Sequence, residues 1–224
     1  MSSARPSQPF FFLKPASCIL APGDGPVIRP KGVDLHYEVE LALIIGKKVK
    51  DLEASDEKGA FDAIESTSLL NNQLIAMLTV KIGYAMSIDM TARNAQNESK
   101  KKGLPWSISK GFDTFLPISE VIPKSKIPDP HNVELYLSVN NEMKQNDSTN
   151  LMLFQIPRML SDISKVMTLE KGDIVITGTP KGVGPVVPGD IMRAGIKVDG
   201  KEIEEGHIEV AVEESTSTYQ FAET

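Results

Sequence analysis

Cysteine is nearly absent: Cys18 is the only one in 224 residues. That excludes an intramolecular disulfide and a cysteine-rich zinc site, and it points to a reducing compartment. Positive charge is also short, with 24 Lys and Arg against 30 Asp and Glu, a net charge of −6 and a pI near 5.2. A nucleic-acid or anionic-membrane partner would want a basic face, so neither is expected. Long apolar runs are missing, and the longest falls far short of a membrane span. The opening Met-Ser-Ser-Ala-Arg-Pro-Ser-Gln has one arginine and no amphipathic pattern, so no transit peptide is visible. Internal repeats and low-complexity tracts are absent as well, which leaves a chain of a size that suits one large globular domain.

What is present centres on His36-Tyr37-Glu38-Val39-Glu40, running into Leu41-Ala42-Leu43-Ile44-Ile45. A strand sends alternate side chains to opposite faces, so His36, Glu38 and Glu40 share one face and Leu35, Tyr37, Val39 and Leu41 the other. Two neighbouring carboxylates repel, and in a half-buried strand the repulsion is poorly screened. A hard divalent cation between them resolves this; a solvated edge strand with its charges outward does so equally well. Asp89 ends the apolar stretch that begins at Gly83, where an aspartate serves either as a cap for the following helix or as a third oxygen ligand. Three carboxylates with little nitrogen or sulfur suit Mg²⁺, Mn²⁺ or Ca²⁺ better than zinc. Lys110 either balances their charge or is a surface lysine. Gly178-Thr179-Pro180-Lys181-Gly182 follows a short apolar strand and reads as a hairpin loop or a backbone cradle for an anion. It is not a P-loop, because no Gly-Lys-Ser/Thr follows. His131 and His207 read as structural or exposed.

Further elements follow from pattern. Residues 9–15 are strand-like, 51–64 hold a short helix, and 67–80 are apolar and ambiguous in type. A polar helix over 94–102 stops at Gly103-Leu104-Pro105. Residues 133–139 alternate cleanly and turn at Asn140-Asn141 into a second strand. Residues 151–169 read as a helix with Ile156, Leu160, Ile163 and Met167 on one face. The fold class expected is α+β, with a large mixed or antiparallel β core.

Taken together, these segments resemble the fumarylacetoacetate hydrolase family. The residues that carry the resemblance are Phe12-Leu13-Lys14-Pro15, His36-Tyr37-Glu38-Val39-Glu40, Asp89-Met90-Thr91-Ala92-Arg93, the run from Lys100 to Trp106, Lys110-Gly111-Phe112-Asp113 and the run from Thr177 to Gly184. The run from Lys100 to Trp106 is most similar to the acylpyruvase and oxaloacetate decarboxylase/tautomerase branch, largely mitochondrial. The resemblance implies a mixed β-roll with a few peripheral helices, a Mg²⁺ or Mn²⁺ held by Glu38, Glu40 and Asp89, and a catalytic Lys110. By the same route Lys14, Arg93, Gln96 and Thr179 are expected to contact substrate, and a homodimer is implied. The substrate expected is a small 2-oxo acid such as oxaloacetate or an acylpyruvate, chelated through its carboxylate and 2-oxo oxygens with enolate charge stabilised by the cation. The activity implied is oxaloacetate tautomerisation or decarboxylation, or acylpyruvate hydrolysis, in a mitochondrial protein or alternatively a cytoplasmic one. Residues 1–8 are expected to be a disordered N-terminal remnant, 9–213 the catalytic domain with an insertion at 65–81, and 214–224 a tail. Family members carry a His–Glu pair ahead of the Phe12 motif, and this chain opens downstream of that place. The alternative is therefore a catalytically impaired member that still binds metal and 2-oxo acid.

Overall fold

The protein is described here by a computed structural model covering residues 6–64 and 82–222. The insertion expected at 65–81, with the ambiguous 67–80 segment inside it, lies outside the described residues, as do residues 1–5 and 223–224 of the two terminal segments.

Val39–Ile44 is the organising strand. It is the middle of three, antiparallel to Gly83–Ile88 on one side and to Ile174–Ile176 on the other. Both hydrogen-bonding edges are thus used, and every residue of Val39–Ile44 and Gly83–Ile88 is buried. Period-two alternation holds: Val39, Leu41 and Leu43 enter the main core with Leu35 and Tyr37, while Ala42 and Ile44 join Ala85 and Ile118 in a smaller cluster. The strand expected to be half-buried is therefore buried on both faces. A carboxylate placed on it lies in a low-dielectric site.

The strand expected as one piece is two. Leu35–Tyr37 pairs with Gly184–Pro185 and Thr91–Ala92 in a separate small sheet, and Glu38 falls between the two strands. A larger sheet orders Val27–Arg29, Ile208–Glu214, Ile191–Val198, Glu134–Val139 and Glu142–Ser148 side by side. All of its neighbours are antiparallel except the first pair, so the β core is mixed. Leu135, Leu137, Met192, Ala194 and Ile196 from this sheet share one core with Val39, Leu41 and Leu43. The Asn140-Asn141 hairpin forms as expected, with φ of +50° and +69°, values that asparagine tolerates better than other side chains. Asn140 also ties the turn down, donating to Asp190 at 2.7 Å and accepting from the Ile191 N–H at 3.0 Å.

The helices are short and peripheral. Arg93–Lys102 ends on Gly103 at φ +66°, with Lys100, Lys101 and Lys102 in its last turn where the helix dipole favours cations. Ile156–Val166 buries Ile156, Met159 and Leu160 and has Pro157 in its first turn. Residues 9–15 form no strand. Pro9 and Pro15 lack the N–H a ladder needs, and Phe10 and Phe12 pack instead on Trp106, with ring centroids 5.0 and 5.4 Å away. Past the last strand, residues 215–221 run back along the molecule, where the Phe221 N–H donates to the Lys31 carbonyl at 2.9 Å.

His131 has a structural task. Its Nε2 accepts the Ile156 N–H at 3.0 Å, one of the donors a helix leaves unpaired at its first turn, and its ring stands edge-on to Phe61. That acceptor role requires neutral imidazole, and burial lowers the pKa of His131 against the pull of Asp129 and Glu57. A folded-state pKa below the unfolded one means that the unfolded chain binds the proton first as pH falls. The His131 contribution is therefore complete above about pH 6.5 and declines below it. In urea denaturation, His131→Ala is expected to cost about 1 kcal/mol at pH 7.5, with the gap to wild type narrowing as pH falls towards 5.

Candidate metal and active site

The antiparallel register assembles the carboxylates. Val39 pairs with Ile88 and Glu40 with Ser87, and one step further the Asp89 N–H donates to the Glu38 carbonyl at 2.7 Å. Asp89 thus comes opposite Glu38, and Glu40 lies two residues along the same strand. Glu38, Glu40 and Asp89 each offer an oxygen within 4.8 Å of the others. His36, which the alternation placed on the same face, is not in this group; its Nε2 lies 3.2 Å from Asp34. Asp89 does not cap the next helix, whose N-cap position is Ala92 without a side-chain cap.

Three carboxylates at this distance need cations, and the chain supplies some. Lys110, on the short helix Ser107–Lys110, is 1% exposed. Its ammonium donates to Glu38 Oε2 at 3.0 Å, Asp89 Oδ2 at 2.5 Å and Thr91 Oγ1 at 2.6 Å, which uses all three of its N–H groups. Burial alone would lower the Lys110 pKa, but Asp89 and Glu38 outweigh it and hold the ammonium above its usual range. Lys14 reaches in from the N-terminal segment, donating to Asp89 Oδ1 at 2.9 Å and to the Lys110 carbonyl. Arg93 donates to Glu38 Oε1 at 2.6 Å and to Gln96 Oε1 at 2.5 Å. Burial pushes the Glu38 pKa up, yet Lys110 and Arg93 together bring it below the usual carboxylate value.

Glu40 is left out of this arrangement. It is 4% exposed, and among the described residues no cation is in contact with it. Its Oε2 accepts the Gly178 N–H at 2.6 Å. Burial first, then the Asp89 and Glu38 charges, push its pKa well above the carboxylate range. A buried carboxylate beside two others, all oxygen donors with no sulfur or imidazole among them, fits a hard divalent cation. Glu38, Glu40 and Asp89 are the residues that would hold it.

The glycine-rich segment closes the site from the other side. Thr177 continues the Ile174–Ile176 strand by hydrogen bonds to the Leu41 carbonyl, and Gly178 turns at φ +95°, which aims its N–H at Glu40. A side chain would strain that turn. Thr179 is placed by Gln145, a residue the sequence reading passed over. Gln145 is 1% exposed; its amide nitrogen donates to Thr179 Oγ1 and the Pro180 carbonyl, both at 2.9 Å, while its oxygen accepts the Val39 N–H at 3.0 Å. One side chain thus joins the loop to the glutamate strand. The only signal in the sequence was a glutamine at an inward position of Glu142–Ser148, and alternation does not reveal which polar residue is inside.

The site opens into a cleft of about 850 Å³ lined by all eight residues singled out from the sequence, together with Phe10, Phe12 and Trp106. Lys110 lies 5.0 Å from the centre of the Phe12 ring.

Comparison with known proteins agrees with this geometry. The profile of the fumarylacetoacetate (FAA) hydrolase C-terminal family matches residues 1–74 and 76–212. The chain is 53% identical over 195 residues to the mitochondrial oxaloacetate tautomerase oaa1 of Schizosaccharomyces pombe, a match covering 87% of this chain and 80% of that protein. Among crystal structures, the yeast fumarylacetoacetate hydrolase family protein ynq8 aligns with a TM-score of 0.83 at 36% identity, covering 96% of this chain and 90% of that one. Fumarylpyruvate hydrolase from Pseudomonas aeruginosa, solved in complex with Mn²⁺ and pyruvate, aligns with a TM-score of 0.73 at 30% identity, covering 92% and 79%.

Gln145→Leu leaves the Val39 N–H and the loop carbonyls without their partner. It is expected to cost about 2–3 kcal/mol in chemical denaturation. Affinity for a divalent cation, probed with Mn²⁺ by electron paramagnetic resonance, is expected to fall with it because the loop that carries Gly178 is no longer held. By fold, profile and sequence identity, this chain belongs to the fumarylacetoacetate hydrolase family.

Proposed function

We propose that this chain holds a Mg²⁺ or Mn²⁺ ion through Glu38, Glu40 and Asp89 and acts on 2-oxo acids bearing a second carbonyl or carboxylate. The leading reaction is oxaloacetate keto–enol tautomerisation; decarboxylation of oxaloacetate and hydrolysis of acylpyruvates draw on the same enolate. The observation that carries this reading is Glu40, a buried carboxylate beside two others with no cation in contact among the described residues. A divalent ion there supplies Lewis-acid stabilisation of enolate charge.

The protein's own residues do the rest. Lys110 has no donor to spare for substrate, so its task is to hold Glu38 and Asp89 in place. Arg93 uses two side-chain N–H groups within the protein and keeps three for an incoming carboxylate. Lys14 keeps one. Gln96 steadies Arg93, and Thr179, held by Gln145, lines the cleft beside the Gly178 turn. Tautomerisation moves a proton between a carbon and the 2-oxygen and consumes no water, so it needs no hydrolytic residue among those lining the cleft. The same reading carries mitochondrial location and a homodimer; light scattering of the purified chain at twice its 24.4 kDa mass would support the latter.

Purified protein with Mg²⁺ is expected to accelerate oxaloacetate enol-to-keto conversion, followed by ultraviolet absorbance, and the Glu38→Ala/Glu40→Ala variant to lose it. In the wild type, Mn²⁺ at about 100 times its Kd should stabilise the fold by about 2.7 kcal/mol. Glu40→Gln should abolish that gain. A folded, metal-binding protein without turnover would leave a binding protein only.

A further inference from the structure

The helix Arg93–Lys102 presents more to the cleft than the two residues already discussed. Positions 93, 96 and 100 lie on one helical face. Arg93 rests on Glu38 at 2.6 Å. Gln96 Oε1 accepts from Arg93 at 2.5 Å and, on its other side, from the Lys100 ammonium at 3.3 Å. The three side chains make a ladder that starts at the carboxylate centre, and the shared Gln96 oxygen keeps the Lys100 ammonium within about 6 Å of Arg93 Nη1. All three line the cleft.

Lys100 is the lysine of its helix that lines the cleft. Lys102 is paired with Glu98 at 2.8 Å and faces solvent. The Lys100 ammonium lies 5.2 Å from the centre of the Trp106 ring and meets no carboxylate among the described residues. Trp106 in turn carries Phe10 and Phe12 at its edges. Burial, and the Arg93 cation on the same face, lower the Lys100 pKa. The deep end of the cleft thus holds the carboxylates with their cation partners, and the rim holds an ammonium without a carboxylate, with an aromatic ledge alongside.

We propose that Lys100 is a specificity-determining residue that binds the distal carboxylate of a dicarboxylic 2-oxo acid. This rests on the functional reading above and sharpens its substrate class. An acid whose 2-oxo end lies at the Glu38–Glu40–Asp89 centre extends its far end along the ladder. If that end is a carboxylate, Lys100 pairs with it over Trp106. If it is a neutral acyl group, it meets the ledge, and the ammonium adds nothing. Exchanging the ammonium for an apolar end of similar length keeps the stem, so the charge and not the stem makes the distinction.

The test compares oxaloacetate with acetylpyruvate, which ends in a methyl ketone, in wild type, Lys100→Met and Lys100→Arg with Mg²⁺. Acetylpyruvate is scored as substrate or as competitive inhibitor, and oxalate, which has no distal group, reports the integrity of the centre. Lys100→Met is expected to raise KM for oxaloacetate about tenfold, the loss of one charge-assisted contact. Its constants for acetylpyruvate and oxalate should stay within about twofold, and Lys100→Arg should recover most of the oxaloacetate KM. Equal weakening of all three ligands, or no change in oxaloacetate KM while wild type turns it over, overturns the role of Lys100 alone. A wild type that neither converts oxaloacetate nor binds oxalate with Mg²⁺ overturns the functional reading and this inference together.

Discussion

Repulsion among Glu38, Glu40 and Asp89 is the constraint around which the rest of the site is arranged. Their oxygens lie within 4.8 Å of one another in a place where water does little to screen them. Left alone, such a group would push the strands apart or give up its charge. The strand pairing prevents the first, because Val39–Ile44 is hydrogen-bonded along both edges and its core residues are packed from both faces. Lys14, Lys110 and Arg93 answer most of the second. They are spread over three separate segments, and each contacts Glu38 or Asp89 but not Glu40. The imbalance is local and directed: Glu40 is the buried carboxyl group that no cation among the described residues contacts, and a cation bound there would have three oxygen donors to meet.

The distribution of hydrogen bonds separates residues that hold the site from residues that are available to a ligand. Lys110 is saturated by Glu38, Asp89 and Thr91. Gln145 is saturated by the glutamate strand and the glycine-rich loop. Both are buried, and both fix the distance between elements. Arg93, Lys14 and Lys100 keep donors and stand around the cleft. A site of this kind is fixed at its carboxylate end and keeps hydrogen-bond donors at its rim.

Several features were legible in the chain before any fold was known. The paired glutamates, the aspartate closing an apolar strand, the Asn140-Asn141 turn and the Gly103 helix stop each depend on neighbours within a few residues, and local sequence records them directly. The resemblance to one family rests on the joint occurrence of motifs scattered over nearly the whole length, and the profile and structural matches span that same length. Other features did not follow from local pattern. Residues 9–15 looked like a strand, but their prolines lack ladder donors and their phenylalanines found Trp106 instead.

By itself, the sequence determined which chemical groups are available: three hard oxygen ligands, a scarcity of sulfur, cations at positions 14, 93, 100 and 110, and strands able to carry them. Tertiary structure decided which of these meet. Alternation put His36 with the glutamates, yet the chain changes sheets at Glu38 and His36 turns to Asp34. Asp89 had a cap role open to it, and the cross-strand bond to Glu38 instead set its carboxylate beside Glu38 and Glu40. Gln145, more than a hundred residues from Val39, became the link between loop and strand only once the larger sheet packed against the organising one. Contacts across such separations depend on register and packing, and no window of sequence contains both partners.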